Sequence, residues 1–291
     1  MIYAKAEAHV SRKPPVASKP APLLPQPEPE LQWEGDRDDA RLELKIRAIA
    51  IPAALILANL AVSVPIFQAL VRVFLSMWIH ELGHAVTAWL CGFGAFPGPW
   101  FTPVWESRSP VVSLLLAGGI AWAGYRAWAA RRWPWVATLG GLLLIQLWMT
   151  LVLSTERARP IVIFGGDAGC MVLGACLMAS MYTRPESNVH RGWLRWGFLV
   201  IGAASFADGF QPWWAARADM AAIPFGMNEG MGLSDASRLV DVYRWTETQL
   251  IHRYVGLGVA CLVVLGVTYA LNLWRARTEL LHPSPSPMPT D

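Results

Sequence analysis

Residues 80–84 read HELGH inside an apolar run. On a helix, positions four apart share a face, so His80 and His84 can present two imidazole nitrogens to one metal about 2.0–2.1 Å away. Glu81 is turned by roughly 100° from His80 and can reach a water on that metal. The chemistry implied is metal-assisted hydrolysis: zinc lowers the pKa of its water towards ~7, and the carboxylate takes the proton and later delivers it to the leaving amine. The bland alternative is a pair of histidines packed in a helix bundle. Against it, ionisable groups inside a membrane helix cost about 2.5–3.5 kcal/mol each on insertion scales, and three within five residues need a compensating partner.

A catalytic zinc takes a third protein ligand and keeps a fourth position open. His9, His190, His252 and His282 fall in tails or at the ends of apolar runs, so a carboxylate within such a run is the better candidate. Two exist. Asp167 sits in IVIFGGDAGC, where Gly165, Gly166 and Gly169 would let backbone and metal approach closely. Asp208 sits in SFADGFQPWW, where it can equally be a turn residue at the membrane interface. Cys170, three residues beyond Asp167, reads as a small residue packing between helices.

The elements that must hold these residues are membrane helices. The 291 residues are 54% hydrophobic and only 15% charged, with a mean hydropathy of +0.36, well below the charge content of soluble domains. Runs of roughly 20 apolar residues recur without a barrel's alternation, so the fold class expected is all-α, a polytopic helical protein with six to seven spans. These fall at about 48–71, 73–92 (carrying HELGH), 111–128, 135–154, 161–182, 194–210 and 254–274. Between the second and third, FGAFPGPWFTPVWESRSP breaks the helix with Gly and Pro, and is expected to dip back into the membrane and line the site.

Outside the spans, residues 1–47, with seven prolines between Pro14 and Pro29, and residues 275–291 read as disordered tails. Residues 212–253 form a polar insertion in which Ser234 or Asp235 would cap one helix over SDASRLVDVYRWTETQLIHRYV. Trp128, Trp133, Trp135, Trp193, Trp213, Trp214 and Trp274 sit at span ends, as interfacial anchors do. Arginines at 131–132, at 184, 191 and 195, and at 275 and 277 should share the cytoplasmic side. The four cysteines make no CxxC pair and read as packing residues. The start, MIYAKAEAHVSRKPP, lacks the apolar core of a signal peptide, so internal segments are expected to direct insertion. A formal charge of +3 without long basic tracts excludes nucleic acid as the partner.

With HELGH and a later intramembrane aspartate, the sequence resembles the site-2 protease family of intramembrane zinc metalloproteases over roughly residues 73–182. The resemblance implies that His80, His84 and Asp167 are zinc ligands and Glu81 the catalytic acid/base, and that a membrane protein or peptide is the substrate, cut within the bilayer. It differs from the family pattern in several respects. The family's aspartate motif carries an upstream Asn and Pro before Leu-Asp-Gly, whereas Asp167 follows Gly-Gly and precedes Ala168, with no Asn between Thr155 and Cys170. There is also no room for a PDZ domain, so substrate selection must differ. A multi-pass protein of a bacterial-type cell (inner) membrane is the expected setting. The alternative function is a non-proteolytic membrane protein that keeps a structural or sensory zinc.

Overall fold

The computed structural model describes residues 34–183, 187–190, 193–228 and 232–281. The expected tails at 1–33 and 282–291, and Arg184 and Arg191, lie outside them. The chain is almost wholly helical, as its long apolar runs require: inside hydrocarbon only a helix or a closed barrel satisfies every backbone polar group. Its order is α1 Glu34–Val62, α2 Pro65–Val71, a π-helical turn Arg72–Ser76, α3 Met77–Leu90, β1 Phe93–Ala95, β2 Val104–Arg108, α4 Pro110–Ala129 and α5 Trp133–Leu147. After a second π-turn at Trp148–Val152 come α6 Thr155–Ala179, α7 Leu194–Ala216, β3 Met227–Asn228, β4 Gly232–Leu233, α8 Asp235–Asp241 and α9 Glu247–Leu281.

Among the described residues five helices are long and apolar enough to cross a membrane: Arg41–Val62, Pro110–Ala129, Trp133–Val152, Thr155–Tyr182 and Glu247–Thr278. Two segments expected as spans, 73–92 and 194–210, are helical but fall outside this group, so a count of six to seven is not reached on length and hydropathy. The reason is chemical. Arg72, His80, Glu81 and His84 lower the hydropathy of the first and Asp208 that of the second, and both helices pack on α6.

Several boundaries differ from the sequence expectation. α1 begins at Glu34, so residues 34–47 are helix rather than tail, and α9 continues past Trp274 to Leu281. The single helix expected after Ser234 is two. Ser234 caps α8, its Oγ accepting from the Ser237 N–H, and the chain then turns through Arg244 at φ 59° before α9 starts at Glu247. The Gly/Pro-rich segment after α3 is an antiparallel hairpin, β1 against β2, with a bulge between Phe93 and Ala95.

α6 is the central helix. More than half of its span is buried, against 11–17% for the other four. It packs on α7, α3 and α9, while α4 and α5 pair with each other at the periphery. The main core gathers Met171 and Met178 of α6 and Met181 just after it with Trp213, Leu239, Leu250 and Tyr254.

The contact between α3 and α6 depends on glycines, which let two backbones approach where any side chain would hold them apart. A methyl group on Gly83 would lie 2.8 Å from Cα of Gly169, and one on Gly169 would strike Gly83 itself. Because the obstacle is backbone, no rotamer change relieves it. In an open helix Gly→Ala gains about 1 kcal/mol; here Gly169→Ala is expected instead to destabilise by about 1–3 kcal/mol. Thermal unfolding of the detergent-solubilised protein reads the sign.

Candidate metal centre

His80 and His84 stand one turn apart on α3 and face the glycine-rich turn of α6, their rings edge-on with centroids 4.8 Å apart. Each ring has its outer nitrogen committed. Nδ1 of His84 lies 2.9 Å from the Val162 carbonyl oxygen, which can only accept, so that nitrogen carries the proton and donates. Nδ1 of His80 lies 3.1 Å from Oδ1 of Asp167 and donates to the carboxylate in the same way. In a neutral imidazole the second nitrogen then bears a lone pair, so both Nε2 atoms are ligand-ready.

The two Nε2 atoms are 3.1 Å apart. Oδ2 of Asp235 completes a triangle with them, 3.1 Å from His80 Nε2 and 3.0 Å from His84 Nε2. Among the described residues these three side chains form the one group of His, Cys, Asp or Glu able to hold a metal ion. A tetrahedral ion with ligands at ~2.0–2.1 Å separates them by ~3.3–3.4 Å, so the triangle is a slightly contracted face of such a site. Burial works against the charge of Asp235, but His84 and His80, when protonated, outweigh it by their charge and hydrogen bonds and hold the carboxyl well below the ordinary carboxylate range. The donor set is therefore two imidazoles and an ionised carboxylate.

Gly166 provides the space. A methyl group there would sit 2.6 Å from Nε2 of both His80 and His84, so of the natural residues only glycine leaves the donor face clear.

The aspartate expected as third ligand, Asp167, lies on the other side of His80. Its Oδ1 accepts from Nδ1 of that ring and its Oδ2 accepts from Nε1–H of Trp213 at 2.9 Å. Trp213 is 1% exposed, so it is no interfacial anchor, unlike the exposed Trp128, Trp133, Trp135, Trp193, Trp214 and Trp274. It stacks on Tyr254 at 4.1 Å, and Tyr254 stacks in turn on Phe164. Asp167 is thus fixed by an aromatic wall and orients His80, the place a carboxylate takes behind a metal-bound histidine. Asp208 is also outside the triangle: it accepts from Ser76 Oγ and from Arg72 Nη1, the latter at 3.3 Å, and ties α7 to the π-turn that leads into α3.

Sequence reasoning missed Asp235 because it searched for carboxylates within apolar runs. The one signal present was Ser234-Asp235 opening a helix, which marks a cap and says nothing of what the carboxylate faces. Cys170, read as packing, is buried, with Sγ 3.7 Å from the Ser76 carbonyl oxygen.

Beside the triangle lies a cavity of about 240 Å³, lined by His80, Glu81, His84 and Asp235, by Val162 and Ile163 of α6, and by Phe93, Trp100 and Trp105 from the β1–β2 hairpin. The hairpin lines the site as expected. It is held to the HELGH helix by Thr102, whose Oγ1 donates to the Glu81 carbonyl at 2.9 Å, and by Trp89, whose Nε1–H donates to the Ala95 carbonyl at 3.0 Å.

Two expectations follow for a metal ion held by this group, measured by metal analysis of purified protein. Asp235→Ala should lose the metal outright, Asp167→Ala should bind it about 10- to 100-fold more weakly, as expected of a ligand's hydrogen-bond partner, and Asp208→Ala should retain it. Gly166→Ala should lose the metal while its circular dichroism stays helical. Comparison of the chain with protein-family models, curated proteins and solved structures finds no match, so its function must be read from these side chains.

Proposed function

We propose that the protein is an intramembrane zinc metalloprotease that hydrolyses peptide bonds of a membrane protein substrate, a divergent relative of the site-2 proteases. The observation that carries the reading is the convergence of three metal-ligating atoms at 3.0–3.1 Å with Glu81 lining the same cavity. Two imidazoles with one carboxylate are a donor set suited to zinc, which would take the place of the protons these atoms share without it.

In this reading the ligands are His80, His84 and Asp235, and Asp167 is a positioning residue. That revises the set implied by the family resemblance and gives the polar insertion a direct part in the site. When bound, zinc supplies a Lewis acid for the scissile carbonyl and for the attacking water. Glu81 accepts the water's proton and returns it to the departing amine, so that neither hydroxide nor an amide anion is released into an apolar site. Asp167 keeps the proton of His80 on Nδ1 and so holds Nε2 free for the metal; the Val162 carbonyl does the same for His84.

The helical run through α2 and α3, together with α7, would complete a bundle of seven spans around the site, in a bacterial-type cell membrane. Interior placement of their charged residues supports this, since such groups in membrane proteins face the bundle rather than lipid.

Glu81→Gln is the decisive variant. It is expected to keep one zinc per chain and to cut transmembrane reporter peptides about 10²- to 10⁴-fold more slowly, read by mass spectrometry of products. Undiminished cleavage in this variant would overturn the mechanism. Wild-type protein that holds zinc but cleaves no peptide in a broad panel would instead be the structural or sensory zinc protein.

A further inference from the structure

Two guanidinium groups line the cavity beside the donor triangle, those of Arg159 on α6 and Arg238 on α8. Neither belongs to the hydrolytic machinery. Arg238 follows Asp235 by three residues, so both side chains occupy one face of α8, with Cβ atoms about 5–6 Å apart. Its side chain is exposed to the cavity and has no hydrogen-bond or ion-pair partner among the described residues. Arg159 spends one N–H on the Glu106 carbonyl at 2.8 Å, which fixes it at the mouth between α6 and β2 and leaves its other donors open.

The charges decide what the mouth would accept. A divalent ion is balanced by Asp235 and Glu81, and the remaining wall then holds two arginines against the single carboxylate of Glu106. A net positive wall flanked by Trp100, Trp105 and Tyr243 suits an apolar chain that carries a carboxylate. An extended peptide advances about 3.3 Å per residue. A group two residues from the metal-bound carbonyl therefore lies ~7 Å away, a separation that an arginine side chain rooted ~5–6 Å from the Cβ of Asp235 can span.

We propose that Arg238, with Arg159 beside it, is a specificity-determining residue of the cavity and selects substrates with a carboxylate about two residues from the scissile bond. The inference rests on the metalloprotease reading above. The carboxylate can come from an acidic side chain or from a free C-terminus.

Peptide hydroxamates test this without relying on turnover, because the hydroxamate chelates zinc whether or not the enzyme is active. Four probes bind to the zinc-loaded full-length protein in detergent, followed by calorimetry: Glu, Gln or Lys placed two residues from the hydroxamate with an amidated end, and Gln with a free C-terminal carboxylate at that distance. The wild type is expected to bind the Glu or the free-carboxylate probe about fivefold more tightly than the Gln amide, with the Lys probe weakest; the tighter of the first two identifies the source. Arg238→Glu should reverse the order in favour of Lys, and Arg238→Gln should flatten it. Equal affinities in the wild type, or an unchanged order in Arg238→Glu, would overturn the proposal and leave the metal centre intact. Absence of zinc-dependent binding by any probe would overturn the metalloprotease reading and this inference with it.

Discussion

Three electron-pair donors, Nε2 of His80, Nε2 of His84 and Oδ2 of Asp235, meet with edges of 3.0–3.1 Å. Such a cluster needs positive charge among its members, carried by protons or by a metal ion, and the features around it bring it together. The outer nitrogen of each imidazole is tied to an acceptor that fixes its tautomer: a main-chain carbonyl for His84 and a carboxylate for His80. Gly166 withholds the one carbon atom that would obstruct the donor face. The cost of burying His80, His84 and Asp167 is offset by their hydrogen bonds to one another, to the Val162 carbonyl and to Trp213.

Support for the cluster passes outward through two kinds of contact. On one side, the close approach of Gly83 to Gly165 and Gly169 sets α3 against α6 at a distance where main-chain atoms touch, and the aromatic stack of Trp213, Tyr254 and Phe164 backs Asp167. On the other, the β1–β2 hairpin is anchored to α3 through the Glu81 carbonyl, which accepts from Thr102, and through the Trp89 indole, which donates to the Ala95 carbonyl, and its aromatic side chains form the cavity wall. A helix bundle alone would close over the histidines. The hairpin keeps a space beside them, and α8 closes the third side with Asp235 and Arg238.

The polar residues of the interior also explain the count of membrane helices. Arg72, Ser76 and Asp208 join α7 to the π-turn ahead of the HELGH helix. A π-turn shifts the phase of the residues that follow it. In this chain it leads directly into the helix whose register must aim His80 and His84 at one point. Interior charges of this kind depress the hydropathy of α3 and α7, so the helix that carries both histidines is not among those long and apolar enough to cross a membrane.

The amino-acid sequence determined by itself that the chain is helical with runs long and apolar enough to cross a membrane, and that two histidines and a glutamate share a helical turn. It also showed that glycines surround Asp167 and that a cap stands at Ser234. All of these are properties of composition or of spacing within about one helical turn, where covalent geometry converts sequence into direction. The partners across helices were decided only by tertiary structure. Asp167 and Asp235 are 68 positions apart, and both are carboxylates near His80. One accepts from its Nδ1 and the other meets its Nε2, a difference set by how α6 packs on α3 and where the turn before α9 brings the insertion back. Trp213 was misjudged for the same reason: a tryptophan at the end of an apolar run has the same sequence whether it faces the interface or a buried aspartate. The packing of α7 on α6 and α9 put it against the aspartate.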